Sequence, residues 1–219
     1  MNLDWSVVWQ NSGALAQGVL ITILLTFCTM LIAIPGGIVL ALMRLSSSRI
    51  LSGISACFVE FFRNVPIILL IYWTFYVLPV FTDISFSPFG TGLLALALNV
   101  SAYNSETFRA GINSIRRGQT EAALALGMSH MEAMLKIILP QAARRVLPVL
   151  ASTWISLFKD TSLVSVIAVG DLAHNALEIR AQSFRVLEIL TAMAVIYWVL
   201  GYPQAKLVDR IYKKWGVKE

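Results

Sequence analysis

Charge is in short supply in this chain. Only 13% of its 219 residues are Asp, Glu, Lys or Arg, against about a quarter in soluble domains, while 58% are hydrophobic. That balance excludes an ordinary water-soluble globule, a disordered chain and a nucleic-acid-binding module, and it makes the placement of the +5 net charge matter more than its size. Cysteine is scarce as well. Cys28 and Cys57 stand in apolar stretches without metal-ligand spacing, which excludes a disulfide framework and a zinc site. No basic residue precedes Arg44, so the opening MNLDW lacks the positive region of a secretory signal. No G-x-x-x-x-G-K-S/T run occurs, so the chain carries no phosphate-binding loop of its own.

Long hydrophobic runs are abundant. A helical span needs roughly 20 mostly apolar residues, and five stretches qualify: Ala14–Met43, Cys57–Phe81, Thr91–Ile112, Val146–Val169 and Val186–Lys206. They are continuous and rich in Leu, Ile and Ala, unlike the short alternating segments of a membrane barrel. The expected fold is an all-α membrane protein of one domain over residues 1–219. With the N-terminus outside, twelve of the seventeen Lys and Arg residues fall on inner segments; only Arg180 and Arg185 fall outside, and Arg63, Arg109 and Lys159 fall within spans. That asymmetry follows the positive-inside rule.

Residues 1–13, with Trp5 and Trp9 four apart, read as an amphipathic segment on the outer interface. Residues 207–219 read as an inner basic tail, and Trp198, Tyr202, Tyr212 and Trp215 suit interfacial positions around the last span. Pro35-Gly36-Gly37 in the first span reads as a packing kink with close helix approach in preference to a gating hinge. Asp171, Glu178, Arg180, Arg185 and Glu188 read as a mixed-charge outer loop, either a docking surface or simply solvated. His130 and His174 have no ligand partner and read as surface residues.

Charge inside hydrocarbon costs about 2.5–3.5 kcal/mol per residue on insertion scales, so charged residues within spans face a cavity or a partner. Glu60, Arg63 and Asn64 mark the second span, Asn99, Tyr103, Asn104, Glu106 and Arg109 the third, and Lys159, Asp160, Thr161 and Ser162 the fourth. Counted at 1.5 Å per residue along straight helices, Glu60, Arg63, Asn99, Tyr103 and Asp160 fall roughly 12–21 Å into a core of about 30 Å. Polar groups from three spans meeting at mid-depth are the pattern of a transporter site. The bland alternative is a buried ion-pair cluster in which Glu60 pairs with Arg63 and Arg109 or Lys159 neutralises Glu106 or Asp160.

Residues 113–145 form the longest inner loop and read as two short helices. Thr120 is a candidate N-cap with Glu121 in the first turn, Gly127 a left-handed stop, Ser129 and Glu132 a capping box, and Pro140 a terminator. Small residues Ala122, Ala123 and Ala125 are expected on an exposed face, open to close approach by another protein or lying on the bilayer.

Glu121-Ala122-Ala123, Gly127, then Ile137, Leu139 and Pro140 resemble the EAA–G–I-LP signature of membrane subunits of bacterial ABC importers. VEFFRNVP, YNSETFRAGINSIRRGQTEAALALG and FKDTSLVSVIAVGDL extend the resemblance over most of the chain, toward permeases for polar amino acids of the histidine/glutamine/glutamate type. The resemblance implies the type I permease fold of five spans with the N-terminus outside, in the bacterial inner membrane. It implies an amino-acid pocket near Glu60 and Asp160, to which Arg63, Asn64, Asn99, Tyr103, Glu106 and Thr161 are added as lining. It also implies that Glu121, Ala122, Ala123, Gly127 and Pro140 belong to a coupling helix that docks in an ATPase. The partners would be a second permease subunit (the same chain or a paralogue), two cytoplasmic ATPases and an external solute-binding protein. This chain then needs no cofactor, ATP and magnesium being held by the ATPase, and is not itself an enzyme. The expected substrate is a polar L-amino acid, with glutamate or aspartate favoured. Competing readings are a stand-alone ion-coupled carrier using Glu60, Glu106 or Asp160, and a membrane enzyme such as a lipid-phosphate hydrolase. The short chain without an inverted repeat speaks against the first, and the misplaced histidines against the second.

Overall fold

The computed structural model of the chain describes residues 3–215, and every regular element among them is helical. The beginning of the expected outer segment (residues 1–2) and the end of the expected basic tail (residues 216–219) lie outside the described residues. A short turn, α1 (Ser6–Gln10), leads into α2 (Ser12–Leu45); α1 buries Val7 and leaves Trp9 exposed, as an amphipathic segment should. The helix α2 is apolar enough to cross a bilayer, runs unbroken through Pro35 and packs along α6 (Pro88–Asn113). Their approach is close because Gly37 lies against Asn104: a Cβ there would stand 2.6 Å from that of Asn104. The close contact expected of the Pro-Gly-Gly stretch is present without an interrupted helix.

The second apolar stretch is not one straight span. It is divided into α3 (Arg49–Asn64) and a continuation made of α4 (Ile67–Tyr72), a wide π turn (Trp73–Val77) and α5 (Leu78–Thr82), bent by 105° at the junction. Pro66 causes the break. It has no N–H to donate, and its ring forces Val65 into extended backbone at φ −85°, ψ 130°. Depths counted along a straight helix therefore do not hold beyond Asn64.

α6 starts at Pro88, ahead of the expected Thr91, with Ser87 accepting from the Gly90 amide and Pro88 in the first turn. The loop helices α7 (Arg117–Ala125) and α8 (His130–Ala133) follow; α8 runs through a π turn (Met134–Ile138) into α9 (Leu139–Asp160). Pro140 thus ends nothing. The Leu139 amide bonds back five residues to Met134, and this widened turn absorbs the donor that proline lacks. The fourth stretch changes character at Asp160, where a 3₁₀ run (Thr161–Ile167) takes over until Ala168 turns left-handed at φ 58°. The α-helix of the expected fourth span accordingly ends at Asp160, short of Val169.

α10 (Leu172–Ser183) lies against α2: the Leu172 amide donates to Thr22 Oγ1 at 3.2 Å, and Asn175 Nδ2 to the Ala14 carbonyl at 2.8 Å. Two of the five charges in the segment read as a docking surface or a solvated loop are buried. Asp171 is fully buried as the N-cap of α10, and Glu188, 3% exposed, accepts from the Asp4 amide and pairs with Arg185. The last helix, α11 (Val186–Trp215), continues through the backbone of the expected tail as far as Trp215. Leu25, Met30, Ile71, Leu96, Leu157 and Val164 form the main core between α2, α4, α6, α9 and the 3₁₀ run. The outward faces of α2 and α11 expose Leu20, Leu31, Trp198 and Val199, as helices in lipid do.

By length and composition α2 and α11 are long and apolar enough to span a bilayer, and the bent α3–α5 unit passes if counted as one. α6 and α9 do not meet that measure. Their sequences carry the polar and charged residues Asn99, Asn104, Glu106, Arg109, Lys159 and Asp160.

Candidate functional site

Breaking a helix at Pro66 orphans backbone carbonyls, and their rescue builds the site. The Phe62 carbonyl loses its partner because residue 66 is proline; the Arg63 carbonyl loses its partner because the chain turns away. Asn99 Nδ2 donates to the first at 2.7 Å, and Tyr103 Oη to the second at 3.2 Å, both side chains coming from α6. Asn99 and Tyr103 lie four residues apart on one helix face, so α6 clamps the frayed end of α3. The Arg63 guanidinium lies 5.5 Å from the centre of the Tyr103 ring, a cation–π contact.

Beside this clamp lies a cavity of about 490 Å³. Arg63 and Asn64 of α3, Asn99 and Tyr103 of α6, and Asp160 at the end of α9 reach it. It holds one cationic and one anionic side chain with neutral donors and acceptors between them. Three polar residues that the sequence reading passed over also line it: Ser152, Thr153 and Ser156. A signal for them existed, since Ser152, Ser156 and Asp160 recur every four residues and so share a face of α9.

Three of the expected residues do not reach this cavity. Glu60 is exposed, and its carboxylate accepts from Asn64 Nδ2 at 3.2 Å, so the expected Glu60–Arg63 pair is replaced by a Glu60–Asn64 bond. Thr161 is fully buried, its hydroxyl donating to the Phe158 carbonyl at the start of the 3₁₀ run. Glu106 faces a second cavity of about 470 Å³ toward the loop end, shared by Arg63, Tyr103, Val149 and Arg145. Its carboxylate is held by Arg109, with Nη2 at 2.6 Å and Nε 3.1 Å from both oxygens, so the pairing expected of Arg109 is the one found.

At the loop, α7 begins at Arg117, not at Thr120. Arg116 occupies the N-cap without a side-chain bond, and Glu121 sits mid-helix. Glu121, Ala122 and Ala125 are exposed, but Ala123 turns inward at 4% exposure, so the small-residue face is narrower than read. Gly127 is left-handed at φ 83°, and the Gly127 and Met128 amides bond back to Leu124 and Ala123 at 2.9 and 3.1 Å, a Schellman stop. Ser129 and Glu132 form the expected reciprocal capping box. The Ser129 amide, then the Lys136 ammonium and the Ser129 hydroxyl, hold the Glu132 carboxyl at about 2, below its ordinary 4.5. Next to this rigid turn stand exposed apolar side chains that the sequence reading missed: Leu126 at 83% and Met131 at 67%.

The family model for the binding-protein-dependent transport system inner membrane component matches residues 33–215. The chain is 35% identical over 218 residues to the glutamate/aspartate import permease protein GltK of Escherichia coli O6:H1, covering 96% of this chain and 97% of that one. It is 34% identical over 219 residues to the glutamine transport system permease protein GlnP of Escherichia coli K12, covering 98% of each. A crystal structure of an amino acid ABC transporter with histidines superposes with a TM-score of 0.92 at 32% identity, covering 98% of this chain and all of that one. The chain belongs to the family of inner-membrane components of binding-protein-dependent ABC transport systems.

Proposed function

We propose that the chain is the membrane subunit of an ATP-driven importer of a polar L-amino acid, with glutamate or aspartate favoured, acting by alternating access. The observation that carries this reading is the cavity at the Pro66 break. Arg63 supplies a cation for the amino acid's carboxylate, Asp160 an anion for its ammonium, and Asn64, Asn99, Tyr103 and Ser156 hydrogen bonds to either. Relatives whose names specify glutamate/aspartate and glutamine support the amino-acid class. Glu106 belongs to the path toward the loop, Thr161 supports the bend after Asp160, and Glu60 orients Asn64.

In this reading the polypeptide crosses the inner membrane five times with its N-terminus outside, which the Lys and Arg distribution supports. It pairs with a second permease subunit, a copy or a paralogue. Residues 113–145 meet a cytoplasmic ATPase that holds ATP and magnesium, and an external solute-binding protein delivers the substrate. Glu121, Ala122, Ala125 and Leu126 form the docking face; Ala123, Gly127 and Pro140 keep it rigid against the membrane part. A helix that transmits motion needs stiff ends, and the Schellman stop and capping box on either side of Gly127 provide them. ATP acts by binding two conformations of the complex unequally.

The test is uptake of a radiolabelled amino-acid panel by the reconstituted complex. Accumulation of one or a few polar L-amino acids, dependent on ATP, is expected. Uptake of none of them overturns the reading.

A further inference from the structure

The second cavity is not explained by binding at the first. The two share Arg63, Tyr103 and Val149, so they are successive chambers along α6 and α9 with the Arg63–Tyr103 contact between them. Their charge differs. The outer chamber, next to the Pro66 break, balances Arg63 against Asp160. In the inner chamber Arg63 and Arg145 face a single carboxylate, Glu106, whose two oxygens are both engaged by Arg109. The charge left to act on a ligand there is positive, and a partly enclosed apolar wall focuses it.

Arg145 is fixed in place. One of its terminal nitrogens donates to the Ser114 carbonyl at the C-terminus of α6 at 2.6 Å. A guanidinium has five N–H donors in a planar fork, so this single bond orients the group without using up its capacity for a carboxylate.

We propose that the inner chamber is a second substrate station, in which Arg145 binds the amino acid's carboxylate after the Arg63–Tyr103 waist has opened. The proposal rests on the transport reading above and adds a stop to it. Crossing the waist requires the Tyr103 hydroxyl to leave the Arg63 carbonyl and the guanidinium to slide off the ring. Arg63, which borders both chambers, then follows the carboxylate from one to the other.

The test uses the assembled complex with its ATPase and binding protein, carrying Cys28→Ala, Cys57→Ala and Ser114→Cys. Ser114 is an exposed residue bordering the chamber, and its carbonyl is kept in the variant. Labelling of the new thiol by an anionic methanethiosulfonate is timed with L-glutamate, L-glutamine or glutaminamide, the last lacking a carboxylate. We expect the two amino acids to slow labelling about tenfold, as loss of access to a charge-assisted site implies, and glutaminamide to leave it unchanged. Adding Arg145→Gln should abolish the protection, and Arg145→Lys should retain part of it. Labelling indifferent to all three compounds, or equal protection with Arg145→Gln, overturns the second station. If that happens in a complex that still accumulates amino acid, the transport reading stands; a complex that accumulates none sinks both.

Discussion

The loop around Gly127 and the cavity around Pro66 are both built on a residue that stops a helix, yet they are assembled in opposite ways. At the turn around Gly127 the capping bonds are local: Met128 to Ala123, Gly127 to Leu124, Ser129 to Glu132 and Lys136 to Glu132. At the cavity the bonds that matter join residues about forty positions apart, Asn99 to Phe62 and Tyr103 to Arg63. A locally capped turn keeps its shape when its surroundings move. A break held open by a neighbouring helix changes shape when that helix shifts. The first suits a part that passes on a push, the second a part that must open and close.

Substitutions can break this contrast, and the largest effect belongs to the cavity. Asp160→Ala removes the only acidic side chain among the described residues that line it. Losing a hydrogen bond to a charged group costs about 1.5–3 kcal/mol, so uptake by the reconstituted complex should fall about 10- to 100-fold while ATPase association is unchanged. Unchanged uptake would remove Asp160 from the site.

Next comes Gly127→Val. A β-branched residue at φ 83° is strained by about 1–3 kcal/mol, so the turn should open and ATP hydrolysis should lose its connection to uptake. Normal uptake per ATP hydrolysed would show that the turn's stiffness plays no part in coupling.

The smallest effect is Ser129→Ala, which deletes a cap and should raise exchange of the Glu132 amide about fivefold with little change in transport. The pH response of that box has a definite sign. The Glu132 carboxyl is lowered from 4.5 to about 2, so its contribution is fully present above 4.5 and disappears as pH falls through about 2. Amide protection should therefore persist at pH 4; its loss there would mean that the carboxylate is not held as described.

The same contrast explains what could be read from the sequence. Gly127 and the Ser129–Glu132 box were legible because three or four residues determine them. Thr120 and Pro140 misled for an equally local reason. A good capping residue is also tolerated inside a helix, and a π turn lets proline follow without a stop. The polar inventory of the cavity was legible as a list, because charge in hydrocarbon is conspicuous. Its arrangement was not. The orphaned carbonyls that recruit Asn99 and Tyr103 exist only once the chain has bent at Pro66. Ser152 and Ser156 carry no charge and stood out only as a helical repeat with Asp160.

The central claim is that this chain forms a path whose motion is driven from outside it. Its most direct test is uptake into proteoliposomes containing the chain alone, or the chain with its ATPase and binding protein, each with and without ATP and with an imposed proton or sodium gradient. Accumulation only in the full complex with ATP is the predicted result. Gradient-driven accumulation by the isolated chain would contradict the account and make it a self-sufficient carrier.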